Sequence, residues 1–302
     1  MLSRLAESFY WIGRYLERAE ATARLLAEHY HLTVEDRSVP DDVAAAVVLD
    51  ALSLPHDTVT SPSELVRALL GDVGNPSTVI GAVGAARENA RSVRDALTGD
   101  VFESLNGAYL TLTRGLMAAA SPGPSMYRVI ERLMVVNGAI EWTMSRDEGH
   151  WFLMLGRSLE RVDMTGRLLD VRHEQYWPDT GPVATLRAAA GLSPFLRTGE
   201  APTGEAVRRF LVLEPTFPRS MLHGARQAEE AVRGLQAQGG GSDAALLREV
   251  GVMRSRLEFA GLVQDPAEVD QLAHDTQVSA VDAGLATADA YFRQAGTIVW
   301  SH

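Results

Sequence analysis

Ten charged side chains form two matching sets along this chain. Arg14, Glu17, Arg18, Glu20 and Arg24 return as Arg157, Glu160, Arg161, Asp163 and Arg167, a shift of 143 residues. They lie in the stretches 13–26 and 156–169, which are identical at nine of fourteen positions. A guanidinium is a planar fork that grips a carboxylate or phosphate with two hydrogen bonds, so such a set can bind an anion. A carboxylate inside it can act as a general base where its surroundings raise its pKa towards neutrality.

Helical geometry positions these groups. At about 100° per residue, Trp11, Ile12, Tyr15, Leu16, Ala19, Thr22, Ala23 and Leu26 share a core-facing side, and the charged residues fill the opposite arc. Spacings of three and four put Arg14 beside Glu17 and Arg18, and Arg24 beside Glu20. Two readings stay open. The arc is a solvated face of ion pairs worth ~0.2–0.5 kcal/mol each, or it is buried between the halves or lines a cavity. The second reading brings six arginines, Arg14, Arg18, Arg24, Arg157, Arg161 and Arg167, towards one shared cleft.

Other clusters carry less. Arg87, Glu88, Arg91 and Arg94 share one helical side and read as surface ion pairs. Arg146, Asp147 and Glu148 open the second motif helix, where acidic groups suit the helix dipole, although a catalytic carboxylate there is an alternative. Glu28 and His31 have the Glu-x-x-His spacing of bundle di-iron sites, and Asp147 and His150 give an imperfect relative. The two sites do not correspond under the repeat, so no metal is expected, and His29 and His31 read as wet, end-of-helix residues. No Gly-x-Ser-x-Gly, Ser/His/Asp grouping or phosphate loop stands out.

Composition narrows the classes. The 302 residues include no cysteine and no lysine, and all 28 basic residues are arginines. Disulfides, thiolate nucleophiles, sulfur-ligated metals, Schiff bases and a P-loop lysine are thereby excluded. A net charge of −11 argues against nucleic-acid or anionic-membrane binding. No apolar run approaches a membrane span and the start has no signal-peptide core, so a cytoplasmic protein is expected.

The elements that must carry the motifs are helical throughout, with no sustained period-two alternation. Helices are expected over 3–36, 41–53, 62–71, 75–97, 100–119 and 125–144. Ser61, Pro62 and Glu64 form a capping box at the third, and Ser121-Pro122-Gly123-Pro124 ends the fifth. A second long helix runs from a capping box at Ser145–Glu148 to about Trp177, covering 146–177. Residues 178–204 are the loosest, with at most one short helix; helices follow over 204–213 and 218–238. Gly239-Gly240-Gly241 breaks the chain, Ser242 caps the next helix, and Asp265-Pro266 starts a last one reaching about Ala295. At a shift of 142, Pro76, Glu88 and Arg91 match Pro218, Glu230 and Arg233. The expected fold is all-α: two pseudo-symmetric bundle halves, 1–145 and 146–302, arising by internal duplication and fused into one unit.

These residues carry a family resemblance. Leu2–Glu7 with Tyr10–Glu20, Arg87–Arg91, and Arg146–Gly149 leading into Leu155–Arg161 resemble the alpha-E family of bacterial all-helical proteins. Phe217-Pro218-Arg219-Ser220 is similar to a later family motif. The resemblance implies a companion of circularly permuted ATP-grasp ligases, with transglutaminase-like peptidases in the same gene neighbourhoods. It implies a system that makes or modifies a peptide or amide-linked metabolite, and it supplies no catalytic residue and no cofactor. The leading expectation is an accessory protein that binds a small anionic or peptide ligand, or its partner, through the Arg/Glu faces. The alternatives are an enzyme subunit using Glu17, Glu160 or Asp147 as general base, and a scaffold that dimerises; an oligomer is compatible with each.

Overall fold

The computed structural model describes residues 1, 3–55, 59–117, 122–239, 244–260 and 265–292, and the regular structure among them is entirely helical. In chain order the helices are α1 (Ser3–Glu35), α2 (Asp41–Ala51), α3 (Pro62–Gly71), α4 (Val79–Ser92), α5 (Gly99–Met117), α6 (Pro122–Thr143) and α7 (Glu148–Asp170). They continue as α8 (His173–Tyr176), α9 (Gly181–Ala188), α10 (Leu192–Leu196), α11 (Gly204–Leu213), α12 (Met221–Ala237), α13 (Ala244–Phe259) and α14 (Pro266–Tyr291). Among the described residues no helix is long and apolar enough to cross a membrane.

The two motif helices, α1 and α7, form the central pair. Two glycines bring them together. A Cβ on Gly13 would stand 2.0 Å from the carbonyl oxygen of Leu153, and one on Gly156 would stand 2.1 Å from that of Tyr10. Leu153 is Tyr10 moved by 143 positions, so the approach is reciprocal. Around this pair the neighbours also match. α4 and α6 flank α1 with α5 between them, while α12 and α14 flank α7 with α13 between them. One continuous core holds both sets, from Phe9, Ile12 and Leu16 on α1 to Leu155, Leu159 and Val162 on α7.

Several boundaries follow local signals. Ser61 caps α3 by accepting the Glu64 N–H at 3.3 Å, and Asp265 caps α14 in front of Pro266. The Glu64 carboxylate reaches one residue further back than a capping box requires and accepts from the N–H and hydroxyl of Thr60. Others shift. α4 starts at Val79, capped by Thr78, because Asn75-Pro76 folds into a turn closed by the Thr78 N–H on the Asn75 carbonyl. α6 begins three residues before Ser125, with Pro122 at its first position. The cap of α7 is Asp147, which accepts the His150 N–H at 3.1 Å, and not Ser145.

The largest departure lies at the end of α7. The helix stops at Asp170, and Arg172 takes a left-handed conformation with φ 51° before the short α8. Tertiary bonds hold that break: Arg172 donates to Asp270 on α14 at 2.9 Å, and His173 is fully buried. Residues 178–204 carry two short helices, α9 and α10, where one at most was expected. They bury Leu186 and Phe195 in the common core. The Gly240–Gly241 break and the Ser242 cap lie outside the described residues, as does any continuation of α14 past residue 292.

Candidate functional site

The charged arcs of α1 and α7 face each other, so the solvated-face reading is excluded. Glu17 is 1 % exposed and Glu160 is fully buried. Arg161 grips Glu17 through Nε at 3.1 Å and Nη2 at 2.6 Å. Reciprocally, Arg18 grips Glu160 through Nε at 2.5 Å and Nη2 at 3.2 Å. Each helix thus supplies a Glu-Arg pair, and the partners are exchanged across the interface. The helices further repeat one internal bond, Arg24 to Glu20 and Arg167 to Asp163, both at 2.9 Å. Some neighbours expected along a single helix meet across two instead: Arg14 donates to Glu160 at 2.5 Å and to the Tyr10 hydroxyl at 3.0 Å. Trp11 and Tyr15, assigned above to the core side, are only partly buried and stack on each other with centroids 5.2 Å apart.

Each motif glutamate therefore meets two arginines, but the second one differs. Glu160 takes Arg14 from α1. The equivalent of Arg14 is Arg157, which turns away, donating to Asn137 on α6 at 2.9 Å and leaving its buried Nε without a partner. Its place on Glu17 is taken by Arg219, from the turn before α12, at 3.0 Å. Arg219 also reaches Glu20 at 2.5 Å, and Asn137 closes the circuit by donating to Glu20 at 2.9 Å.

Electrostatics follow from these contacts. Burial opposes ionisation of Glu17, yet Arg161 and Arg219 outweigh it and hold its pKa down to about 2. Glu160 is pulled below the usual carboxylate range in the same way, its burial outweighed by Arg14 and Arg18. Arg157 behaves oppositely: burial, reinforced by the charge of Arg161, lowers it to about 10. Both glutamates are thereby held in their ionised form.

The six arginines do not converge on one cleft. Among the described residues two clefts open beside the helix pair. The first is lined by Glu17, Ala21, Arg161, Thr165 and Arg219 and retains only about 20 Å³. The second is lined by Arg18, Thr22, Ser77, Asp163 and Arg167 and holds about 160 Å³. Arg18, Thr22 and Met164 correspond to Arg161, Thr165 and Ala21 at a shift of 143, so the clefts are related by the same pseudo-symmetry.

The remaining candidates lie elsewhere. Glu88 and Arg91 pair on the outside of α4 at 2.9 Å with more than half of each side chain exposed, as expected. Arg87 bridges Glu88 and Asn106 and lies over the Tyr109 ring. Arg146 pairs with Glu141 on the surface, Asp147 is a cap, and Glu148 occupies the first turn of α7. None of these reaches the clefts. Among the described residues, no group of three or more His, Cys, Asp or Glu side chains is arranged to hold a metal ion.

His29 corrects the expectation of a wet helix end. It is 1 % exposed, and its Nδ1 lies 3.1 Å from Nε2 of His173, whose Nδ1 lies 3.0 Å from the Thr185 hydroxyl. Burial lowers His29 to about 4; burial, then the neighbouring His29, lowers His173 well below its ordinary value. This is a neutral packing pair under Trp177.

Comparison with known proteins places this geometry. A model for Alpha-E, described as a predicted alpha-helical domain with a conserved ER motif, matches residues 1–292. The chain belongs to the Alpha-E family. Glu-Arg occurs in this chain at 17–18, 131–132 and 160–161, and the first and last of these are the pairs exchanged between α1 and α7. Uncharacterized proteins of Mycobacterium bovis and Mycobacterium tuberculosis are 22% identical over 307 residues, with 90% of this chain covered. The match takes in 34% of each of them, so the chain spans about a third of the length of these curated relatives. No solved structure matches the chain.

Proposed function

We propose that this Alpha-E protein is a non-catalytic helical partner of an ATP-grasp amide or peptide ligase, holding an anionic ligand of that system beside the α1–α7 interface. The observation that carries the reading is the saturation of both motif glutamates. Glu17 and Glu160 each accept from two arginines, which leaves neither of these two carboxylates free to take a proton. Asp147, the third candidate base, is occupied as a helix cap. Binding needs only arginine donors that still face a cleft, and Arg18 and Arg167 do so with about a quarter of each side chain exposed. The length of the mycobacterial relatives, in which the matched region is about a third of the chain, fits a module working beside other domains.

Co-expression with a circularly permuted ATP-grasp ligase from the same organism tests the reading. A complex stable to size-exclusion chromatography, with amide-bond formation lost when this protein is omitted, is expected. Full ligase activity without it, and no complex, would overturn the proposal.

A further inference from the structure

The two clefts are not equally available, and one residue accounts for the difference. The turns that precede α4 and α12 share three bonds at a shift of 142. The Thr78 N–H donates to the Asn75 carbonyl, and the Ser220 N–H to that of Phe217, both at 3.0 Å. The Thr78 hydroxyl donates to the Asp72 carbonyl and the Ser220 hydroxyl to that of Glu214, both at 2.5 Å. Each hydroxyl then caps its helix by accepting from Gly81 or His223. Ser77 and Arg219 therefore occupy the same place in matching turns. Arg219 reaches into the first cleft and fills it, whereas Ser77 leaves the second about 160 Å³ empty. That is room for several waters or a small molecule in their place.

Charge decides what fits. A cation that mimics Arg219 would find Glu160 already taken by Arg14 and Arg18. Among the charged side chains that line the open cleft, Arg18 and Arg167 stand against one acid, Asp163, a surplus of one positive charge. Among the described residues, Nη1 of Arg18 and Nη2 of Arg167 have no partner, because their bonds use the other nitrogens. The hydroxyls of Thr22 and Ser77 add neutral donors, and Leu52, Leu54 and Met164 line the rest with apolar surface.

We infer that the Ser77 cleft is a carboxylate-binding site, taking the carboxylate of a small amino acid or of a peptide end between Arg18 and Arg167, with its side chain on Leu52 and Leu54. The inference rests on the function proposed above and names its ligand class. Two single guanidinium donors in a partly open site bind such a group at about millimolar level, and loss of the ligand's charge weakens this about tenfold.

Ligand-observed NMR titration of the whole chain with glycyl-alanine tests it, beside alanine, glycyl-alaninamide, inorganic phosphate and ethylguanidine. Glycyl-alanine is expected to bind at least tenfold more tightly than its amide. Alanine binding equally well assigns the site to free amino acids, and weaker binding assigns it to peptide ends. Ser77→Arg is expected to abolish binding by filling the cleft as Arg219 fills its counterpart, and Ser77→Ala, which removes one hydroxyl, to weaken it two- to threefold. Circular dichroism and thermal unfolding establish that both variants fold. Equal binding of acid and amide, tighter binding of phosphate or ethylguanidine, or no effect of Ser77→Arg in a folded protein would each overturn the inference. Ligase complex formation is read separately: a complex without peptide binding removes the ligand assignment alone, and peptide binding without a complex removes the partner.

Discussion

The α1–α7 interface and the outer face of α4 use the same residue types within one helical turn, with opposite results. On α4, Arg87, Glu88 and Arg91 pair along one helix in water, where a pair contributes ~0–1 kcal/mol. Between α1 and α7, Glu17-Arg18 and Glu160-Arg161 exchange partners with the acids buried. What separates them is the backbone. Gly13 and Gly156 let the two main chains touch, which brings the charged arcs within reach of each other and excludes water. On α4, Glu88 and Arg91 stay more than half exposed. Motif chemistry alone does not set the worth of an ion pair; the approach of the helices does.

That contrast can be tested in order of expected effect. Gly156→Val should cost most, at least about 3 kcal/mol in chemical denaturation, because a backbone carbonyl cannot yield to the new side chain and the helices must part. A loss below about 1 kcal/mol would mean that the close approach is not required. Glu160→Ala should follow at roughly 3 kcal/mol, since it leaves Arg14 and Arg18 without their buried partner. Arg219 retains Glu20 when Glu17 is lost, so Glu17→Ala should cost less than Glu160→Ala; the reverse order would contradict the assigned circuit. Glu88→Ala should change stability by less than about 0.5 kcal/mol. A larger loss would place a partner over α4.

The parts legible in the sequence are those fixed by local chemistry. Ser61-Pro62 and Asp265-Pro266 mark helix starts because cap and proline act within one turn. The interface was legible only in part: a repeated polar arc implies a shared use, but its spacing leaves open whether the arc is solvated or buried. The break at Arg172 was not, because no glycine or proline announces it and its left-handed backbone is held by Asp270, a residue 98 positions away. α9 and α10 escaped because burial of Leu186 and Phe195, more than helix propensity, keeps them folded. Arg219 and Asn137 were missed as members of the charged layer since each arrives from another helix or turn. The Pro76–Pro218 echo was the available signal for Arg219, as it aligns the two turns and sets Ser77 opposite an arginine.

The glycine contacts have a mechanical consequence. Sliding α1 along α7 by one turn, about 5.4 Å, would carry each glycine off the carbonyl it admits and pull both Glu-Arg forks out of register at once. The central pair therefore behaves as a single keyed beam, with three outer helices hung from each of its members. Any large change of shape in this protein has to pivot the outer helices about that beam.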